Sequence, residues 1–334
     1  MMVKYLCLMK LMIAMFYNFN EFSSNVNDLS INVFICSASF EDRCFVIPKL
    51  IEESDVKESY IFFNENEAKS ICVNAEELSN LLEIKSNRVA LNSNDAISNY
   101  IEIMRVINDI THNYKKPNIL IDTTTFTHES LLVLIRLIEN KKQLLGNVFL
   151  SYVGAKEYSV NDEKDEDKWL SKGVDEIRTI IGFPGFTDPT KKNHLIILFG
   201  FEYDRTLRII DEYEYDSITL GFGDQPIEDN HMKINFERHK RLLSRHPEAS
   251  EFKFSLTDPS ETKNQLLEYI EKEKLSDKNI VIAPMNNKIS TVGAGFAAIS
   301  NQNIQLAYAK ASLYNTEGYS SPSDNIYFFK IDFE

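Results

Sequence analysis

The sequence predicts an α/β protein of two tandem units related by internal duplication, each a mainly parallel sheet flanked by helices. Three observations carry this. The strand-like stretches are unbroken apolar runs, such as "VFIC", "IFF", "ILI" and "VFLSY", which suit strands buried on both faces of a parallel sheet. Amphipathic, helix-period stretches fall between them, so strand and helix alternate as in layered α/β domains. Finally, a series of landmarks recurs in the same order in the two halves of the chain, the signature of a repeated unit.

The elements follow in order. The chain opens on "MMVKYLCLMKLMIAMFYNF", apolar and Met-rich, interrupted by Lys10 and followed by no small-residue cleavage site. It is short for a membrane span and reads as a packed or interfacial helix. In the first half the strand "INVFICSA" leads into "SFEDR" (39–43), then the helix "CFVIPKLIEE" and the strand "SYIFFNE". The second half repeats this as "HLIILF", "GFEYDR" (200–205), "TLRIIDEYEY" and "SITLGFG". The helix "VNAEELSNLL" matches "INFERHKRLL", with Asn74 opposite Asn235. "RVALNSND" and "FKFSLTDP" come next, each followed by an amphipathic helix, "AISNYIEIMRVINDI" and "ETKNQLLEYIEKEK". "NILIDTTTFTHESLLVLIRLI" then matches "NIVIAPMNNKISTVGAGFAAI", and each half closes on a strand and a Tyr-Ser pair, Tyr158–Ser159 and Tyr319–Ser320. Between the halves, "VNDEKDEDKW" is acidic enough to be a solvated linker. The stretch from "WLSKGVDEIRTI" onward is expected to be a connecting helix ending in a Gly/Pro turn. The resulting boundaries are an N-terminal extension (1–29), a Rossmann-like unit (30–160), an acidic linker with its helix (161–192) and a second Rossmann-like unit (193–334).

Composition narrows the function. The 334 residues carry a formal net charge of −14, which excludes general nucleic-acid binding because phosphate neutralisation needs clustered Lys and Arg. A local basic pocket for a small anion is compatible with it. Cys7, Cys36, Cys44 and Cys72 form no CxxC pair, which fits reduced thiols in a cytoplasmic protein. The six histidines show no metal-ligand spacing, so no metal is expected; no cofactor is expected either.

In open α/β sheets, ligands bind where loops leave the carboxyl ends of strands and helix N-termini favour anions. Four segments fall there: the two "FE…DR" turns, "DTTTFTHES" and "APMNNKIST". Arg43 and Arg205 are placed to clasp a phosphate or, paired with their neighbouring carboxylates, to lock the turn. Thr123, Thr124 and Thr125 offer hydroxyls either to a ligand or to the next helix as caps. Asn286, Asn287 and Lys288 occupy the matching place in the second half. The spacing G-x-G-x-x-A at Gly293, Gly295 and Ala298 lies well past its strand end. It reads as small residues that let a helix pack closely on the sheet, not as a dinucleotide fingerprint.

This arrangement resembles the ligand-sensing domains of the CRISPR-associated Rossmann-fold class, in which loops after an early and a later strand recognise nucleotide second messengers. "SASFEDR" and "GFEYDR" sit at the earlier turn; "IDTTTFTHES" and "APMNNKIST" sit at the later one, with Thr-Thr-Thr-Phe-Thr and Asn-Asn-Lys in place of that class's Gly-Gly-Thr-Lys. The resemblance implies a cytoplasmic sensor or accessory subunit for a phosphorylated small molecule in bacterial anti-phage defence or regulation. Its effector would be a separate protein, and homo-oligomerisation is compatible with it. Two other readings stay open. One is a hydrolase using Glu41, Asp42 and Asp122 on a glycosidic or phosphoester bond; the other is a non-catalytic interaction module.

Overall fold

The structure, a computed structural model, describes residues 15–333 apart from 18, 52–55, 83, 163, 165–167 and 225–228. The first lobe contains β1 (Met15–Tyr17), α1 (Phe19–Asn27), β2 (Val33–Ser37), α2 (Val46–Leu50), β3 (Glu58–Asn64) and α3 (Lys69–Leu81). It continues with β4 (Lys85–Leu91), α4 (Ala96–Asn113), β5 (Ile119–Asp122), α5 (His128–Asn140) and β6 (Val148–Tyr158). The chain then forms β7 (Ser171–Pro184), β8 (Asn193–Phe199), α6 (Tyr203–Glu212), β9 (Ser217–Gly223), α7 (Asp229–Arg245) and β10 (Ser250–Phe254). It ends with α8 (Pro259–Lys272), β11 (Asn279–Pro284), α9 (Lys288–Ser300), β12 (Ile304–Tyr314) and β13 (Ser320–Ile331).

Among the described residues the strands form two sheets, ordered β1-β13-β6-β5-β2-β3-β4 and β10-β9-β8-β11-β12-β7. The parallel cores β6-β5-β2-β3-β4 and β12-β11-β8-β9-β10 have the same order, so the two Rossmann-like units are duplicates. β2 and β5 are buried along their whole length, as are β11 and all but the first residue of β8. Their alternate residues feed different cores. Phe34, Cys36 and Leu120 pack outward under α1–α3, and Leu195, Ile197 and Val281 do the same in the second lobe. Ile35, Ile121, Ile196 and Ile282 point inward into one cluster that runs through both lobes. There α5 meets α9, and a Cβ at Gly295 would lie 2.6 Å from Leu132 Cδ2. The small residues of α9 therefore serve helix-on-helix contact between the lobes; at Gly293 the close neighbours are Thr262 and Pro259 of α8.

The antiparallel strands depart from the sequence expectation. The stretch expected as a connecting helix is β7, paired with β12. Its run of Val174, Ile177, Thr179, Ile180 and Ile181 is β-branched and favours a strand, and Gly173 and Gly182 have φ of +68° and +94°, values foreign to a helix. The final strand, β13, leaves its own half and pairs with β6 of the first lobe. Each repeat thus sends its last strand to the other sheet. The N-terminal segment also differs from expectation: Met15–Tyr17 is a strand on β13, and α1 buries Phe22 and Val26 in the first lobe's outer core. The rest of that apolar run lies outside the described residues. Cys36 and Cys44 are buried free thiols and Cys72 is a partly buried one; Cys7 lies outside the described residues. Among the described residues no helix is long and apolar enough to cross a membrane.

Candidate functional site

One cleft forms where the carboxyl ends of the two sheets face each other, with about 130 Å³ of space accessible to water. The loops after β2 and β8 supply Phe40, Glu41 and Arg43 from one lobe and Phe201, Glu202 and Arg205 from the other. The loops after β5 and β11 supply Thr124, Thr125 and His128, and Asn286, Asn287 and Lys288. The terminal parallel strands add Tyr152 and Tyr158, and Tyr308 and Tyr314.

The two "FE…DR" segments are built alike. Glu41 Oε2 accepts from Arg43 Nε (2.9 Å) and Nη2 (2.6 Å), and Arg43 Nη1 donates to the Val153 carbonyl of β6 (3.0 Å). In the second lobe Arg205 Nη2 donates to the Ala309 carbonyl of β12, and Nη1 lies 3.4 Å from Glu202 Oε1. Arg43 and Arg205 are only 3% and 6% exposed. Burial opposes charge on both guanidiniums, but Glu41 and Glu202 together with the neighbouring tyrosines raise their pKa values overall. The exchanged strands complete the turns: Ser320 of β13 donates to Glu41 (2.6 Å), and Ser171 of β7 donates to Glu202 (2.5 Å). Each turn is therefore tied by a hydroxyl from the strand that the other repeat contributes.

Phe201 is buried, whereas Phe40 is partly exposed to the cleft. The reason is cross-lobe packing: Phe40 lies against Tyr314 and Tyr319, as Phe201 lies against Tyr158. Burial raises the pKa values of Tyr158, Tyr308 and Tyr319, so these hydroxyls stay neutral near neutral pH.

The helix starts behave as their caps dictate. Thr127 accepts from Ser130 N (3.1 Å) and Asn287 from Ser290 N (2.9 Å), so α5 and α9 present their N-terminal ends at the cleft with equivalent caps. The first helical residues differ, His128 in one and Lys288 in the other. His128 Nδ1 contacts the Pro284 carbonyl across the lobes at 2.7 Å. Burial, Lys288 and Arg205 hold its pKa well below the usual histidine value. Burial lowers the Lys288 pKa to about 8, with Glu41 and Glu202 opposing and Arg43 and Arg205 reinforcing the shift. Its ammonium has no hydrogen-bond or ion-pair partner among the described residues.

The residues singled out in the sequence sort as follows. Arg43, Thr124, Thr125, Arg205, Asn286, Asn287 and Lys288 line this cleft. Thr123 does not: its hydroxyl donates to the Ser151 carbonyl, 2.8 Å away, inside the sheet edge. Thr124 and Thr125 are also committed, Thr124 Oγ1 to Asp122 and Thr125 Oγ1 to the Ser37 carbonyl (2.5 Å). The three carboxylates do not converge. Glu41 lines the cleft on Arg43, Asp42 is exposed, and Asp122 is buried beneath Thr124. The tyrosines and His128 were not picked out, although "YVGAKEY" and "YAKASLY" repeat a Tyr-to-Tyr spacing that puts both rings of each strand on one face. Pairing the two Tyr-Ser ends hid it: Tyr158 corresponds to Tyr314, and Ser320 to Ser171.

No protein-family model and no curated protein matches the chain. Among solved structures, Can2 from Sulfobacillus thermosulfidooxidans in complex with cyclic tetra-adenylate is 11% identical, with a TM-score of 0.28 over 40% of this chain and 34% of that one. E. coli MccB with MccA is 12% identical, with a TM-score of 0.25 over 39% of this chain and 40% of that one. The cytoplasmic domain of a prokaryotic cation chloride cotransporter is 7% identical, with a TM-score of 0.28 over 87% of this chain and 98% of that one. The chain thus spans well under two thirds of these Can2 and MccB chains.

Proposed function

We propose that the protein is a sensor or accessory subunit that binds a nucleotide or another phosphorylated small molecule in the cleft between its lobes. One observation carries this reading. Two helix N-termini, the Lys288 ammonium and Arg205, whose buried Nε has no partner, line a single tyrosine-walled cleft. Helix N-termini and cations favour an anion, and aromatic walls suit a base or another planar group. The carboxylate hydrolase reading lacks its geometry, because only one of its three acids reaches the cleft. A cytoplasmic role in anti-phage defence or regulation, through a separate effector, follows from the likeness of the loop motifs and belongs to the same proposal.

Titration calorimetry of the intact chain against nucleoside mono-, di- and triphosphates, cyclic dinucleotides and cyclic tetra-adenylate tests it. A saturable heat that is lost in Lys288→Met supports the reading. Absence of heat with every member of the panel overturns it.

A further inference from the structure

The cleft is symmetric in its walls and asymmetric in its charge. Glu41 and Glu202, Arg43 and Arg205, Tyr152 and Tyr308, and Tyr158 and Tyr314 occupy equivalent places on the two lobes. The difference falls at the helix starts and in how the arginines are used. His128 Nδ1 faces a carbonyl, which can only accept, so Nδ1 carries the proton and Nε2 is an acceptor. At the equivalent place the second lobe has the Lys288 ammonium. Arg43 has its Nε and both terminal nitrogens bound, to Glu41 and the Val153 carbonyl. Arg205 donates Nη2 to the Ala309 carbonyl and keeps a single 3.4 Å contact to Glu202, and its Nε is buried without a partner. Both available cationic donors therefore belong to the second lobe, and the first lobe offers a neutral acceptor.

Resting on the nucleotide reading above, we infer that the ligand is itself asymmetric: a nucleoside monophosphate, with its one phosphoryl group at Arg205 and Lys288 and a neutral hydrogen-bond donor at His128. A base amino group or a sugar hydroxyl supplies that donor. A two-fold symmetric cyclic nucleotide fits less well. It would set a second phosphate against the acceptor nitrogen of His128 and against an arginine already held by Glu41. The walls then reflect the duplication, and the divergence between His128 and Lys288 sets which way round the ligand lies.

Calorimetry on the intact chain tests this with the four common nucleoside 5′-monophosphates, their nucleosides, cyclic di-adenylate and cyclic tetra-adenylate. One monophosphate should bind at a single site per chain and outbind both cyclic ligands. Removing its phosphate, or the Lys288→Met change, should weaken binding roughly ten- to a hundredfold, as loss of a charge-assisted contact does. Lys288→Arg keeps the charge and should retain binding, which separates loss of the contact from loss of the fold. His128→Lys makes the charge symmetric and should shift preference toward the cyclic ligands. Tighter binding of a symmetric cyclic ligand than of every monophosphate by the unaltered chain overturns this inference and leaves the nucleotide reading standing. No binding by any of these ligands overturns the inference, and extending the panel to di- and triphosphates then decides the broader reading.

Discussion

At the scale of single residues, the arginine of each "FE…DR" segment is buried against a glutamate of its own turn. The structure ties Arg43 to Glu41 and to a backbone carbonyl in a site almost without solvent. Arg43→Ala leaves the Glu41 carboxylate buried without its cation, a change that costs about 3–5 kcal/mol in comparable pairs. The melting temperature should drop by several degrees, and Glu41→Met combined with Arg43→Met should recover part of the loss; an unchanged melting temperature for Arg43→Ala would show that the pair is dispensable. Asp122 makes a different prediction. Burial raises its pKa to about 7, against hydrogen bonds from Thr124 and the charge of Arg43. The folded value lies above the unfolded one, so the stability it contributes is full below about pH 4 and is lost as pH rises through about 7. Asp122→Asn removes this titration. Relative to the native chain, the variant should be more stable at about pH 8 than at about pH 5 in urea unfolding. An identical difference at both pH values would contradict the assignment.

At the scale of elements, the parallel strands and their helices were legible because unbroken apolar runs and amphipathic periods are local signals. α4 and α8 carry their start cues in sequence, Asp95 and Asp258, whose side chains cap them. The exchange of β7 and β13 was not legible, since which sheet a strand joins depends on partners far along the chain. β13 covers the edge of β6 and holds β1 on its other side. It also places Ser320 on Glu41, and Ile326 and Phe328 in the first lobe's outer core. A chain ending before β13 exposes the β6 edge and uncovers that core, which favours aggregation. Hydrogen exchange on any soluble fraction should show lost protection in β6 and β5 and retained protection in β8 and β11. Equal protection in both lobes would mean that β13 is not structurally required.

At the scale of the whole molecule, duplication supplies two similar walls, strand exchange ties them together, and a shared inner core runs between them. The candidate site lies where the duplicated loops face each other, so seven of the eight anticipated ligand residues line one cleft. Thr123 is the exception, turned into the sheet edge by the Ser151 carbonyl. The tyrosines and His128 escaped a sequence reading because each is unremarkable on its own strand or helix. Only the facing of the lobes gives Tyr158 and Tyr314 their places against the opposite Phe201 and Phe40. If the proposed function holds, this cleft and not a surface elsewhere takes the phosphorylated ligand. The most direct test is a crystal structure of the intact chain grown with whichever nucleotide gives calorimetric heat. The phosphoryl group should lie within hydrogen-bond distance of Lys288 Nζ and the Arg205 guanidinium, with the ligand between the tyrosine walls. A nucleotide bound elsewhere, with the cleft holding only water, would contradict it.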